Sequence, residues 1–284
     1  MSALTRRWTV GHDGSGGASH AARWALEQAT GRDVDVVVVR GWDIPALDFP
    51  FPSEAMEDFV PPAVSGDIGE IEASAAERGV SLGSSVVRGA AVNVLLDEAV
   101  DSSLVVVGSR GMGGFRRLLL GSVSSQCAAH ATVPTVVVPA TAPQRAVRRI
   151  VVGLDGSDRS RRALAWAMEF APEGCEMLVV GAWMPSKSGF VAVAQHYSDE
   201  HRQARDRFDE ILDEVEADPD GVPFERRFVF ADPAATLLEE AESSDLVVVG
   251  QRGHSGVSAA ILGSVSMQVL HRSPVAVAVI PDGS

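Results

Sequence analysis

The feature that most constrains this chain is a phrase written twice. Leu104-Val-Val-Val-Gly108-Ser-Arg-Gly111, then Gly121-Ser122-Val123-Ser124, returns as Leu246-Val-Val-Val-Gly250-Gln-Arg-Gly253, then Gly263-Ser264-Val265-Ser266. Residues 104–126 and 246–268 agree at 14 of 23 positions, and the offset of 246 − 104 = 142 is half of the 284-residue chain. A repeat of that period means two copies of one domain, each long enough to bury its own core without disulfides or metals. Both copies of the phrase read as a strand, a glycine-rich loop and a helix start.

The rest of the chain follows the same alternation. Trp8-Thr-Val-Gly11 and Ile150-Val-Val-Gly153 read as first strands, each followed by an Asp-Gly-Ser turn and a helical pattern that carries a tryptophan, Trp24 or Trp166. Val34 to Val39 and Leu178 to Trp183 read as second strands; their unbroken apolar runs suit a parallel sheet covered on both faces. Helices are expected at about 67–78 and 198–215, strands at 80–87 and 222–230, and further helices at 91–100 and 234–241. After the repeated phrase, each copy ends in a Pro-flanked apolar strand, Pro134 to Pro139 and Pro274 to Pro281. Each copy is therefore β-α-β-α-β-α-β-α-β, and right-handed crossovers make that an α/β domain with a doubly wound, mostly parallel five-stranded sheet. We place the domains at 1–140 and 148–284, joined by a linker at 141–147. The terminal strands are expected at sheet edges, where one repeat can pair with the other. The proline-rich, acidic stretch at 43–64 is expected to be a long loop.

Composition narrows the function. The apolar runs fall far short of a bilayer span, and no leader pattern is evident, so a soluble, cytoplasmic protein is expected. Cys127 and Cys175 have neither disulfide nor metal-ligand spacing, and Cys127 falls at an apolar helix position. A net charge of −14 repels nucleic-acid backbones and anionic membranes. His196 and His201, five residues apart, do not share a helical face and are expected at the surface. No Gly-x4-Gly-Lys-Ser/Thr occurs, which removes the P-loop lysine.

A parallel strand that ends in glycine, followed by a loop and a helix opening with Gly-Ser, is suited to phosphate. Gly108 and Gly250 are expected to take a positive φ on leaving the sheet, and Gly111 and Gly253 to let backbone N–H groups approach an anion. The helix starts at Gly121-Ser122 and Gly263-Ser264 add unpaired donors and the positive dipole end. Ser122, Ser124, Ser264 and Ser266 offer hydroxyls for hydrogen bonds or caps. Arg110 and Arg252 are candidates either for a phosphate contact or for pairing with a carboxylate. Asp13 and Asp155 are either ligand groups or turn and cap residues.

Gly-x2-Gly-x9-Gly-Ser after a fourth strand, with an Asp after the first, resembles the ATP-binding branch of the universal stress protein family in its tandem form. That resemblance implies a HUP-like fold in each half and ATP with Mg²⁺ as cofactors. It places Asp13 and Asp155 beside the nucleotide and its Mg²⁺, and main-chain groups around Val39-Arg40 and Val180-Gly181 at the adenine edge. Gly108, Gly111, Gly121, Ser122 and Val123, with Gly250, Gly253, Gly263, Ser264 and Val265, would cradle ribose and phosphates. The implied role is a nucleotide-dependent regulatory module, an internal pseudo-dimer that dimerises again and acts on a protein partner. The alternatives are a nucleotide-consuming enzyme on the same sheet, such as a slow ATPase, and a scaffold with vestigial sites.

Overall fold

The computed structural model describes residues 6–43, 68–111, 120–184, 194–216, 222–252 and 262–282, with no side-chain description for 194–198. Most of the proline-rich stretch, the interiors of both glycine loops and Gly253 lie outside the described residues.

The first copy comprises β1 (Arg6–Gly11), α1 (Gly16–Ala29), β2 (Val34–Trp42), α2 (Gly69–Arg78), β3 (Ser81–Arg88), α3 (Ala91–Ala99), β4 (Leu104–Gly108), α4 (Ser122–His130) and β5 (Thr135–Val138). The second comprises β6 (Arg149–Gly153), α5 (Asp158–Phe170), β7 (Glu176–Ala182), α6 (Ala194–Glu216), β8 (Glu225–Val229), α7 (Pro233–Ala241), β9 (Leu246–Gly250), α8 (Ser264–Arg272) and β10 (Ala276–Ile280). The expected alternation is present in both halves.

Local chemistry accounts for several boundaries. Ser15 and Ser157 cap α1 and α5 by accepting from the N–H groups of Ala18 and Ser160. Asp232 does the same for α7, with Pro233 in the first turn where its missing N–H costs nothing. The two five-stranded sheets join into one, in the order β3-β2-β1-β4-β5-β10-β9-β6-β7-β8. Strands are parallel within each copy, whereas β10 pairs antiparallel with β5, Val277 opposite Val137. The terminal strands thus meet at a pseudo-twofold axis, as two edges of the same hand must if neither is to stay exposed. Every residue of β5 and β10 is buried.

Helices cover both faces. One core gathers Trp8, Trp24, Leu164, Phe170, Phe208 and Leu212 beneath α1, α2, α5 and α6. The other gathers Leu95, Val107, Cys127, Leu237 and Val269 beneath α3, α4, α7 and α8. Each runs through both copies. Burial raises the Cys127 thiol to about 12 and the Cys175 thiol to about 11, as expected of inert core cysteines. Trp24 is wholly buried, whereas Trp166, a core residue by pattern, is only half-buried and stacks on Phe170. His201 packs edge-on against Trp183, Phe228 and Phe230; among the described residues no metal-binding cluster exists.

The linker is fastened to the first copy. Gln28 of α1 donates to the Arg145 carbonyl and accepts from Val147 N–H, while His20 meets the Ala142 carbonyl at 3.0 Å. Asp245, 4% exposed, accepts from the Arg145 guanidinium and from the backbone N–H groups of Arg148 and Arg149. Across the seam, Gln251 donates to the carbonyls of Ala128 and Ala129 at the end of α4. Asp245→Ala strips two backbone donors of their acceptor and is predicted to lower stability by about 3 kcal/mol, read as a reduced urea midpoint at unchanged slope. A loss under about 1 kcal/mol would show that this anchor is not needed.

Candidate functional site

Two cavities open at the C-terminal ends of the parallel strands, where open α/β sheets hold ligands. The first, about 430 Å³, is lined by Gly11, Asp13, Val39, Gly108, Arg110, Gly111, Gly121, Ser122, Val123 and Ser124, with walls from Ala91, Leu95 and Leu120. The second, about 250 Å³, is lined by Gly153, Asp155, Val180, Gly250, Arg252, Gly263, Ser264, Val265 and Ser266, with Pro233 and Leu237 opposite.

The repeated spacing has a mechanical explanation. Directly after β4, Ser109 donates its N–H to the Val138 carbonyl of β5 and its own carbonyl accepts from Gly121 N–H. Gln251 repeats both bonds, to the Ile280 carbonyl and from Gly263 N–H. Each glycine loop is thus pinned between the last strand and the following helix. Ser124 donates to the Ser109 carbonyl at 3.1 Å and Ser266 to the Gly250 carbonyl at 2.7 Å, both buried. These two hydroxyls hold the loop, while Ser122 and Ser264 are exposed at the cavity mouths. The N-cap positions of α4 and α8 are Gly121 and Gly263, which bring no side-chain acceptor. In contrast to α1, α5 and α7, these helices leave their first N–H groups to whatever occupies the cavity.

The expected positive φ at Gly108 and Gly250 is not found; among the described glycines it occurs elsewhere, including Gly14 and Gly156 in the Asp-Gly-Ser turns. What Gly108 needs is close approach: a Cβ there would lie 2.8 Å from the Gly17 carbonyl oxygen. At Gly250 a Cβ would lie 3.1 Å from Arg159 Cβ. Strand and helix N-terminus meet backbone to backbone, so the constraint is on volume and not on dihedral. A Cβ on Gly111 would collide with the Asp13 carboxylate, which puts the glycine loop and the first-strand aspartate on opposite sides of one narrow space.

Both aspartates also serve their turns. Asp13 Oδ1 accepts from Ser15 N–H at 3.0 Å, and Asp155 Oδ1 from Ser157 N–H at 3.0 Å and its hydroxyl at 2.6 Å. Both remain exposed. Val39 and Val180 line the cavities as placed by sequence, their carbonyls accepting from His12 and Leu154 N–H. Arg40 and Gly181 do not; the next residues, Gly41 and Ala182, do. Arg252 lies 3.8 Å from Asp282.

The sequence reading passed over the apolar walls. Ala91 and Leu95 are four apart on one face of α3, and Pro233 and Leu237 stand 142 residues later on α7. That shared offset was the available signal. It also passed over His12. Arg40, 7% exposed, runs back along β2, donating from Nε to the His12 carbonyl and from Nη2 to His12 Nδ1 at 2.8 Å. A guanidinium only donates, so Nδ1 accepts and the imidazole is neutral, with its Nε2 proton 3.1 Å from Ser19 Oγ. Burial, and then Arg40, lower the His12 pKa from 6.5, against an opposing pull from Asp13. The second copy has Leu154 and Gly181 instead, so the two cavities differ in polarity.

The family model described as the universal stress protein family matches residues 5–139 and 146–281. The universal stress protein Rv2005c of Mycobacterium tuberculosis is 31% identical over 282 residues, covering 95% of each chain, and Rv2623 of the same organism is 30% identical over 291 residues with the same coverage. A universal stress protein of Archaeoglobus fulgidus superposes with a TM-score of 0.72 at 21% identity, over 98% of this chain and 99% of that one. The chain belongs to the universal stress protein family, in a two-domain form. No helix among the described residues is long and apolar enough to cross a membrane.

A depressed histidine pKa sets a sign for acid stability. Below pH 6.5 the unfolded chain takes up a proton that folded His12 resists, so stability conferred by the neutral ring is intact above 6.5 and declines as pH falls beneath it. His12→Leu, the residue of the second copy, is predicted to flatten the fall in melting temperature between pH 7 and 5. An unchanged profile would place the acid sensitivity elsewhere.

Proposed function

We propose that each domain binds one ATP with Mg²⁺ and that occupancy serves regulation. The observation that carries this reading is the pairing, twice over, of an uncapped helix N-terminus with a pinned glycine loop and a facing aspartate at the strand ends. Backbone N–H groups of Gly121 to Val123 and Gly263 to Val265 would meet the phosphates, with Arg110 and Arg252 at the rim. The flat base would lie against Leu95 and Val39, or Leu237 and Val180. Asp13 and Asp155 suit Mg²⁺, which keeps several waters and needs only one or two carboxylates besides phosphate oxygens.

The same chemistry argues for holding the nucleotide and against spending it quickly. The chain's single lysine, Lys187, lies outside both loops in sequence. His12 is engaged at both ring nitrogens, and the second copy has leucine in its place. Regulation then works through the surface at the strand ends, which a bound nucleotide changes, in a cytoplasmic, homodimeric assembly that recruits a protein partner. The rival, a nucleotide-consuming enzyme, would require turnover within seconds.

Protein denatured after purification should release adenine nucleotide, detected by chromatography at 260 nm, and added Mg·ATP should raise the melting temperature. No release and no shift would end the proposal. Asp13→Asn keeps the Ser15 turn bond but removes the charge; calorimetry should show first-site affinity for Mg·ATP falling about tenfold or more. Gly111→Val should abolish that site by displacing Asp13. Undiminished affinity in both variants would contradict the assignment.

A further inference from the structure

The two cavities at the strand ends differ in the charges that edge them. In the first, Arg110 lines the opening, and among the described residues no carboxylate pairs with it. In the second, Arg252 takes that place, its side chain only 16% exposed and 3.8 Å from the Asp282 carboxylate. The same carboxylate accepts from Arg159 Nε, so one acid holds two guanidinium groups.

The repeat locates the origin of the difference. Asp282 stands 142 residues after Ala140, and Arg159 stands 142 residues after Gly17. Asp282 follows β10 by two residues, and the Ile280 carbonyl at the end of that strand accepts from Gln251 N–H, next to Arg252. The bond that pins the glycine loop therefore also brings the acid to the rim. Arg159, in the first turn of α5, packs where a Cβ on Gly250 would lie 3.1 Å from its own Cβ. In the first copy a Cβ at Gly17 would lie 2.8 Å from the Arg110 carbonyl oxygen, so the loop itself excludes a side chain there. Asp13 and Asp155 are common to both rims and do not distinguish them, whereas the exposed Asp158, where the first copy has Gly16, adds a further acid to the second.

We propose that Asp282 is a specificity-determining residue of the second cavity: by holding Arg252 and Arg159 it competes with nucleotide phosphates, so that ATP fills the first cavity before the second. The inference rests on the ATP reading of both cavities given above. Ion pairs that are partly open to water contribute little to stability, which leaves these guanidinium groups exchangeable for phosphate oxygens that bind them through parallel, charge-assisted hydrogen bonds. The exchange weakens binding because the contacts to Asp282 are lost and its charge is left beside the phosphates. Adenosine, which carries no phosphate, makes no such exchange and does not sense Asp282.

The test is calorimetric titration of the full chain with Mg·ATP and, separately, with adenosine. For the native chain two ATP affinities about tenfold apart are expected, and Gly111→Val, which removes the first site, should leave the weaker. In that background Asp282→Asn should raise ATP affinity about tenfold with adenosine affinity unchanged, while Asp282→Glu, which keeps the charge, should not. If Gly111→Val fails to fold, Asp282→Asn alone should draw the two native ATP affinities together. Two equal ATP affinities in the native chain, retention of the tighter one in Gly111→Val, an unchanged ATP affinity in Asp282→Asn, or an equal gain for adenosine would overturn this inference and leave the ATP sites standing. Absence of ATP binding at both cavities would end both readings.

Discussion

The antiparallel contact between β5 and β10 is the interaction on which the rest of the molecule depends. Each repeat by itself ends in a four- or five-residue strand, apolar but for Thr135, with an open row of backbone donors and acceptors. Pairing Val137 with Val277 closes both edges at once and makes one sheet of ten strands. It also fixes α1 beside α5, which brings Trp24 to 6.4 Å from Phe170 and continues both cores across the seam. The linker then needs no length to spare, and Gln28 and Asp245 hold it in place.

The strand-end cavities inherit their geometry from that frame. The carbonyls of Val138 and Ile280, at the ends of the central strands, position Ser109 and Gln251, and these in turn position the starts of α4 and α8. Backbone is thereby bonded to backbone at each step, and the glycine-loop entrances owe little to side chains that substitution would change. What differs between the cavities is side-chain chemistry. A buried Arg40–His12 pair stands beside one, while leucine and glycine occupy those places by the other, so duplication preserved the cradle and let its surroundings diverge.

Much of this was legible in the sequence because it is local. Uninterrupted valine runs announce two-sided burial, Asp-Gly-Ser announces a turn and cap, and a repeat of half the chain length announces the pairing of terminal strands. The glycine constraint was misread for a physical reason. Sequence shows that a side chain is forbidden at Gly108, but two causes, a positive φ and a close neighbour, leave the same trace, and only the position of Gly17 separates them. Ser124 and Ser266 were recognised as hydroxyls with a task, yet their acceptors are carbonyls 15 and 16 residues away, a distance that no local pattern encodes. The path of Arg40 back to His12 and the half-exposure of Trp166 depend likewise on how elements pack.

The central claim is that two pinned glycine loops, each facing an aspartate across an uncapped helix, form two nucleotide cradles in one chain. Native mass spectrometry with Mg²⁺ and saturating ATP tests it most directly, because it counts occupants without presuming any activity. The account predicts two ATP masses per chain, reduced to one by Gly111→Val. A chain that stays free of nucleotide at saturation would contradict it.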